Sequence, residues 1–172
     1  MVELFSGQIQ AQYGQAYIEL TGSFDGDMGG CFRGQGNGLC GARVPAILFL
    51  VTGLHTGVVG IDIRLFDAEP SLDEGWEEIV EVSFSAPGGE IRLVEWAADE
   101  GVRMPLAAGS YRARYQARGM AAGNALNTND ADTPVDGYRL DLWAAPPAAD
   151  RVVKQTAEIA AYWHDWARQL AV

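Results

Sequence analysis

The segment Ala46–Thr52 is an unbroken run of apolar, strand-forming side chains, and it constrains the fold more than any other part of the sequence. A run of this kind is typical of a strand that is buried on both faces. After the turn-forming residues 53–57, the segment Val58–Phe66 alternates apolar residues with small or charged ones, which indicates a strand that is buried on one face. We therefore predict that these two segments form a central β-hairpin, covered by further strands.

Other alternating segments supply the covering strands. They are Leu4–Gln12, Ala16–Leu20, Glu77–Phe84, Ile91–Trp96, Val102–Leu106, Tyr111–Arg118 and Tyr138–Trp143. The turn at Pro87–Glu90 predicts a second hairpin, between Glu77–Phe84 and Ile91–Trp96. The arginines of Tyr111–Arg118 share one face, where we expect them to balance the glutamates of neighbouring strands rather than to bind phosphate. The predicted fold class is an antiparallel β-sandwich of about seven to nine strands.

Two long segments interrupt the strands. Residues 21–43 contain eight glycines, so we expect a mobile insertion there, with a functional loop as the alternative. Residues 120–136 form a second loop, in which Asn127–Asp132 is a polar turn or, with a poor match to the required spacing, a calcium site.

Two cysteines, Cys31 and Cys40, lie in the first loop. A disulfide and two free thiols are both open, and a zinc site with His55 and His164 is a third possibility, although the histidines lack ligand spacing. A chain of 172 residues can bury enough core without a cross-link, so we expect both cysteines to be dispensable for stability.

We predict that residues 1–172 form a single domain. It ends in a helix that covers about residues 148–170. Apolar residues there follow helical steps of three and four, including Trp163 and Trp166, and Asp150 is a suitable N-cap. We expect the helix to pack on the sheet with both tryptophans buried and His164 at the surface or its boundary. A dimer contact through this helix is the alternative, which makes the protein a monomer or a homodimer.

The net charge restricts which classes of molecule the protein can bind. The chain has 23 acidic and 12 basic residues, a net charge of −11, which argues against direct binding of nucleic acid. Twelve acidic residues against two basic ones lie between Asp62 and Glu100.

No membrane segment or leader is recognised, so we expect a cytoplasmic protein without membrane contact.

The sequence contains no recognisable catalytic motif. No serine or cysteine motif accompanies either histidine, and there is no phosphate-binding or dinucleotide fingerprint. Adjacent carboxylates in a turn are more often solvated surface than a glycosidase pair. We therefore expect no enzyme activity, no cofactor and no metal.

The candidate binding residues lie in the acidic turn that precedes the strand Glu77–Phe84. They are Asp73, Glu74, Trp76, Glu77 and Glu78. A tryptophan among carboxylates either fills the end of the sandwich from within or projects as the contact for a basic protein. Both interpretations stay open.

Three short segments resemble the competence protein J family: Glu78–Phe84, Ile91–Val94 and the motif Leu-Ala-Ala-Gly-Ser-Tyr-Arg at 106–112. The order of elements is similar from Ile9 to Leu142. The resemblance implies a small β-sandwich and inhibition of a DNA-entry nuclease. The segments 21–43 and 120–136 and the C-terminal helix are additions to that pattern, and no functional residue is transferred.

The resulting hypothesis is a non-enzymatic binding protein, an acidic inhibitor or immunity-like partner of a basic protein such as a nuclease. The alternative is a β-sandwich that binds a small molecule or carbohydrate through its two long loops, and the third possibility is a hydrolase with its site on those loops.

Overall fold

The structure, a computed structural model, describes residues 1–22, 24–45 and 47–170; Ser23 of the predicted insertion, Ala46 of the apolar run, Ala171 and Val172 lie outside the described residues. The strands in the described part are β1 (Val2–Gln12), β2 (Gln15–Glu19), β3 (Cys40–Gly41), β4 (Ile47–Val51), β5 (Thr56–Phe66), β6 (Glu78–Ala86), β7 (Glu90–Glu95), β8 (Val102–Pro105), β9 (Gly109–Arg118), β10 (Thr128–Asn129), β11 (Gly137–Ala144) and β12 (Arg151–Lys154). The helices there are α1 (Met28–Phe32), α2 (Met120–Leu126) and α3 (Glu158–Gln169).

The described strands form one continuous mixed sheet that curls into a half-barrel. One run has the order β12, β6, β9, β11, β5, β1, and a second has the order β8, β7, β2, β4, β3. The runs join where Gln12 of β1 pairs with Gln15 of β2. The prediction of a mainly β protein with a C-terminal helix is confirmed. A sandwich is not confirmed, because the runs are continuous, and the sheet is not wholly antiparallel, because β10 and β11 are parallel to β5.

Both hairpin predictions are wrong. β4 pairs with β2 and β3, whereas β5 pairs with β1 and β11. β6 likewise pairs with β9 and β12, and β7 with β2 and β8. Residues between β4 and β5 bond to the start of β11: Gly53 N–H donates to the Tyr138 hydroxyl at 2.7 Å, and Leu54 N–H donates to Asp136 at 3.0 Å. This connection therefore carries the chain from one run to the other instead of closing a tight turn.

The core lies between the two runs. Alternate residues of β9, including Tyr111 and Tyr115, face it, as the alternation predicts. The Tyr115 hydroxyl crosses the core and donates to the carbonyl of Val51 at 3.1 Å. All five residues of β4 are buried, which confirms the prediction from the apolar run.

The later part of the segment 21–43 is folded into this core, with Cys31, Phe32, Leu39 and Cys40 buried, so the prediction of a mobile insertion is wrong for this part. The Asn37 side-chain oxygen accepts from the N–H groups of Leu39 and Cys40 at 3.1 and 2.9 Å, which holds the connection between α1 and β3 in place. Cys31 and Cys40 are free thiols with no exposed surface, and burial raises the pKa of both. Their place in the core argues against the expectation that they are dispensable.

Helix α3 begins at Glu158 and not near residue 148, because residues 151–154 form β12 against β6. The apolar side chains of residues 151–154 fit both a helical and a strand pattern. The pairing with β6 makes these residues a strand. Asp150, the predicted N-cap, accepts instead from two backbone N–H groups of the segment 21–43 at 2.8 and 2.9 Å.

Helix α3 packs on the segment 21–43 through partly buried Trp163 and Trp166, not fully buried as predicted. The Trp166 ring lies 5.5 Å from that of Phe32. His164 is 1% exposed, which corrects the expectation of a surface histidine. Its Nδ1 accepts from Gly38 N–H at 3.0 Å, and burial lowers its pKa to about 4, so the ring is neutral at pH 7.

Replacing Gly38 with alanine tests this contact. A Cβ there would collide with the carbonyl of Trp163 in α3, so Gly38→Ala should lower the free energy of unfolding by roughly 1–3 kcal/mol. The matched control is Gly60→Ala in β5, where a Cβ meets open space and the change should stay within about 0.5 kcal/mol. Urea unfolding measures both, and equal losses would contradict the packing of α3 on Gly38.

Candidate functional site

The acidic segment, residues 67–77, crosses the outer face of the sheet between β5 and β6. Basic side chains hold its backbone: Arg114 donates to the carbonyl of Pro70 at 2.7 Å, and Lys154 donates to the carbonyls of Glu74 and Trp76 at 3.0 and 2.7 Å. Bonds to charged donors are stronger than neutral ones, so the segment is held in one conformation although most of its side chains are exposed.

Beneath this segment, Glu81 of β6 is shared by three arginines. Its carboxylate accepts from Arg112 at 3.1 Å, Arg114 at 2.8 Å and Arg151 at 2.9 Å. Arg114 and Glu81 are each 1% exposed. Burial by itself would raise the pKa of Glu81, but the hydrogen bonds from these arginines outweigh it and hold the pKa below its ordinary value.

Two arginines on this face of β9 therefore belong to an interior layer. The prediction that its arginines balance glutamates of a neighbouring strand is confirmed at Glu81, but Arg112 and Arg114 are buried and not at the surface. The reason is the register: Glu81 lies directly opposite Arg114, and the acidic segment covers both.

Trp76 belongs to the same layer. It is 6% exposed, and the guanidinium groups of Arg118 and Arg139 lie 5.2 and 5.0 Å from the centre of its ring. Contacts of this kind stabilise both the ring and the cations. Of the two interpretations of Trp76, the structure places it in the buried one, and it is not available as an exposed contact.

The predicted carboxylates separate into two groups. Asp73, Glu74 and Glu77 are exposed on the acidic segment and its junction with β6. A hydrogen bond from Gly75 N–H, with help from Arg139, holds the pKa of Asp73 below its ordinary value. These three carboxylates form one exposed anionic surface.

Glu78 does not belong to this surface, because it has no exposed area. Its carboxylate accepts from the N–H groups of Thr156 at 2.9 Å and Ala157 at 2.7 Å, just before α3 begins. Burial raises its pKa, and the positive end of the helix makes this a favourable place for a carboxylate. Glu78 thus joins β6 to the residues that lead into α3.

The exposed charge is more one-sided than the composition suggests. Fifteen of the acidic side chains are exposed, against six of the basic ones. The other six cations are partly or fully buried, most of them in ion pairs such as Arg92 with Glu19 and Arg139 with Asp141. The surface is therefore strongly anionic.

The calcium alternative from the sequence concerns the segment 120–136, and the small-molecule alternative concerns both long segments. The segment 120–136 contains α2 and β10, so it is not wholly the loop that the sequence predicts. After β10, the Asn129 side chain binds the N–H of Ala131 and the carbonyl of Thr133, so residues 129–133 form a polar turn. Among the described residues, no three His, Cys, Asp or Glu side chains are grouped to hold a metal ion, and no helix there is long and apolar enough to cross a membrane. Both loops contribute residues that pack on α3, and a small-molecule or carbohydrate site on them stays a prediction.

Sequence reasoning missed an exposed aromatic group at one end of the sheet. Tyr13 is 54% exposed and Trp96 is 38% exposed, and their ring centres lie 4.7 Å apart. Trp96 lies in the same acid-rich stretch as Trp76, so the charge pattern could have indicated it. Tyr13 comes from a distant turn and has no sequence signature.

Comparison with solved structures shows which known folds this chain resembles. The chain is similar in structure to ComJ of Bacillus subtilis, described as an inhibitor of the DNA-degrading activity of NucA, with a TM-score of 0.54 and 15% identity over 84% of this chain and 98% of ComJ. The fold resembles that of ComJ. The protein of crocagin biosynthetic gene J is similar too, with a TM-score of 0.52 and 12% identity over 85% of this chain and all of the other. No family model and no curated protein sequence matches the chain.

The predicted resemblance to the competence protein J family is thus confirmed as a distant structural likeness. Nearly all of ComJ is matched, while about one sixth of this chain is not. That the segments 21–43 and 120–136 and the C-terminal helix are the additions stays a prediction.

Replacing Glu81 with glutamine tests the buried layer. Removing one charge from a buried ion pair leaves the others uncompensated, so Glu81→Gln should cost roughly 3–5 kcal/mol at pH 7. Because the folded pKa lies below the ordinary value of 4.5, the stabilisation is present above that pH and is lost as the pH falls through the folded pKa. The difference between variant and wild type should shrink accordingly in acid.

The control for this variant is Glu90→Gln, whose partner Arg103 is 68% exposed and whose loss should cost about 1 kcal/mol or less. Chemical unfolding at several pH values gives both numbers. Similar losses for the two variants would show that the buried layer is no more stabilising than a surface pair.

Replacing Trp76 with alanine distinguishes a structural tryptophan from a contact. Removing a buried indole with two stacked guanidinium groups should cost roughly 3–5 kcal/mol. Trp96→Ala, at an exposed position, is the control and should change stability by about 1 kcal/mol or less. An unchanged melting temperature for Trp76→Ala would refute the structural role.

Proposed function

We propose that this protein is a non-enzymatic inhibitor that binds a basic protein, most specifically a DNA-degrading nuclease. The observation that carries the proposal is the one-sided exposed charge, with fifteen acidic against six basic side chains. The likeness to ComJ, whose description names inhibition of a nuclease, supports the same function.

The physical mechanism is competition with DNA. A nuclease must neutralise phosphates with lysine and arginine side chains, and those cations are attracted equally to a field of carboxylates. Such a field accelerates encounter with the basic surface, and the bound inhibitor then occupies the place of the DNA backbone. No catalysis by the inhibitor is required.

The proposed contact surface comprises Asp73, Glu74 and Glu77 of the acidic segment. Trp76 and Glu78 are buried and support the segment: Trp76 lies against two guanidinium groups, and Glu78 binds the backbone that leads into α3. A segment held in this way loses little conformational freedom on binding, which favours affinity.

Inhibition can be tested directly. The immobilised protein is used to capture proteins from a lysate of the organism that encodes it, and the high-salt eluate is assayed for DNA degradation with and without added protein. We expect the eluate to degrade DNA and a stoichiometric amount of the protein to suppress this activity. An eluate without nuclease activity, or with activity that the protein does not change, would refute the proposal.

The surface itself is tested by charge removal. The triple variant Asp73→Asn, Glu74→Gln, Glu77→Gln should slow association with the captured nuclease by about 10-fold or more at low salt, because steering is lost. The matched control removes the same charge elsewhere, at exposed Glu3, Asp130 and Asp132. Equal slowing by both variants would mean that only net charge matters and that this surface is not the contact.

A further inference from the structure

An exposed aromatic patch lies at one end of the sheet and consists of Tyr13, His55 and Trp96. The Tyr13 ring packs edge-on against Trp96 at 4.7 Å and against His55 at 5.3 Å. Tyr13 is 54% exposed, Trp96 is 38% exposed, and His55 is exposed as well. Tryptophan and tyrosine that remain in solvent as a cluster are typical of the centre of a protein interface.

Three separate turns build this patch. Tyr13 lies in the turn between β1 and β2, His55 in the connection from β4 to β5, and Trp96 at the end of β7. Gly14 N–H donates to the carbonyl of His55 at 2.9 Å, which fixes two of the turns to each other. The third turn is held by the pairing of β2 with β7.

The backbone at this end is constrained. Within the described residues, the non-glycine positions with positive φ are Tyr13 and Ala97 at 56° and Asn127 at 64°, and all three belong to this end. The Asn127 carbonyl accepts from the N–H groups of His55 and Thr56 at 3.1 and 3.0 Å. Residues other than glycine keep this conformation only where their surroundings enforce it, so the backbone that carries Tyr13 and the backbone directly after Trp96 are fixed by their contacts.

The charge around the patch is anionic. The turn that follows Trp96 carries exposed Asp99 and Glu100, and Glu95 precedes it with one carboxylate oxygen bonded to Gln10 N–H at 2.7 Å. There is no basic residue from 93 to 102. Aromatic faces and carboxylates that lie close together in the chain favour a cation, and a guanidinium in particular, because it stacks on a ring and donates hydrogen bonds from its edge to carboxylate oxygens.

The protein already uses this chemistry internally. Arg114 lies over Trp143 at 5.2 Å while its Nε bonds to Glu81 at 2.8 Å. Arg118 and Arg139 lie over Trp76. The patch presents the same pair of elements, an indole and nearby carboxylates, without an arginine above it among the described contacts.

We propose that the Tyr13–Trp96 patch docks an arginine side chain of the basic protein partner. This inference rests on the proposed function and deepens it, because it adds a specific contact to the charge steering proposed for the acidic segment. Trp96 thereby takes the contact role that the sequence suggested for Trp76. A nonspecific apolar partner would gain nothing from the carboxylates, and a second copy of this acidic chain would be repelled by them.

The first experiment uses a minimal probe, N-acetyl-arginine amide, with its neutral isostere N-acetyl-citrulline amide as the matched ligand. Both are titrated into the protein at constant ionic strength while the Trp96 indole N–H and the Tyr13 ring are observed by NMR. We expect arginine amide to shift these resonances by at least a few-fold more than citrulline amide. Equal shifts, or shifts located elsewhere, would overturn the inference.

The variants are chosen so that the backbone survives. Trp96→Ala removes the indole, and Tyr13→Asn removes the ring with a residue that tolerates positive φ. Tyr162→Ala, 58% exposed on α3, is the matched control outside the patch. Trp96→Ala should abolish the arginine-dependent shift of Tyr13, whereas Tyr162→Ala should leave it unchanged. Concentration-dependent broadening of the patch resonances without probe would show a self-contact and would also overturn the inference.

The second experiment uses the captured nuclease. Trp96→Ala should raise its dissociation rate roughly 30-fold, the effect expected at a hot spot, while Tyr162→Ala should not. If the nuclease is inhibited but Trp96→Ala dissociates like the wild type, the docking inference fails and the proposed function stands. If no nuclease is captured while the arginine probe still binds the patch, the proposed function fails and the arginine site stands.

Discussion

The buried carboxylate of Glu81 determines which groups cover the outer face of the sheet. β9 brings two arginines to that face, and cations cannot be buried without partners, so the register that sets Glu81 opposite Arg114 is a requirement of the fold. Once the charges are paired, the remaining donors of the guanidinium groups must also be bonded. Backbone carbonyls at Pro70 and at Ala148 meet that need, which is why two irregular segments lie across the face.

The anionic surface follows from the same arrangement. A protein with twelve basic residues that commits six of them to partly or fully buried positions leaves its excess of carboxylates facing water. Internal stabilisation and external charge are therefore coupled: a change that released Arg139 from Trp76 and Asp141 would weaken the fold and reduce the negative field at once. This coupling explains how an acidic segment can be rigid and yet keep its carboxylates in solvent.

The sequence predicted the strands well and their partners poorly. Alternation identifies β5, β6, β9 and β11 because the period of two is a local property. It does not report pairing, and the assumption that neighbouring strands pair failed at β4 and β5, whose connection bonds to β11. Val152 suits both a strand and a helix, so the start of α3 was misplaced. At the candidate site, the exposure of Asp73, Glu74 and Glu77 was predictable from charge, whereas the burial of Trp76 depends on two arginines from other strands, and the Tyr13–Trp96 contact depends on a meeting of turns.

The parallel pairing of β5 with β11 has a consequence for biosynthesis. β5 is complete at Phe66, but its parallel neighbours, β10 and β11, begin at Thr128 and Gly137, about 60 and 70 residues later. During translation, β5 can pair only with β1, and its other edge remains open as a template for unwanted strand addition until most of the chain has emerged. Such long-range closure is intrinsically slow, so this edge of β5 should stay unpaired for longer than an edge that a sequence neighbour covers.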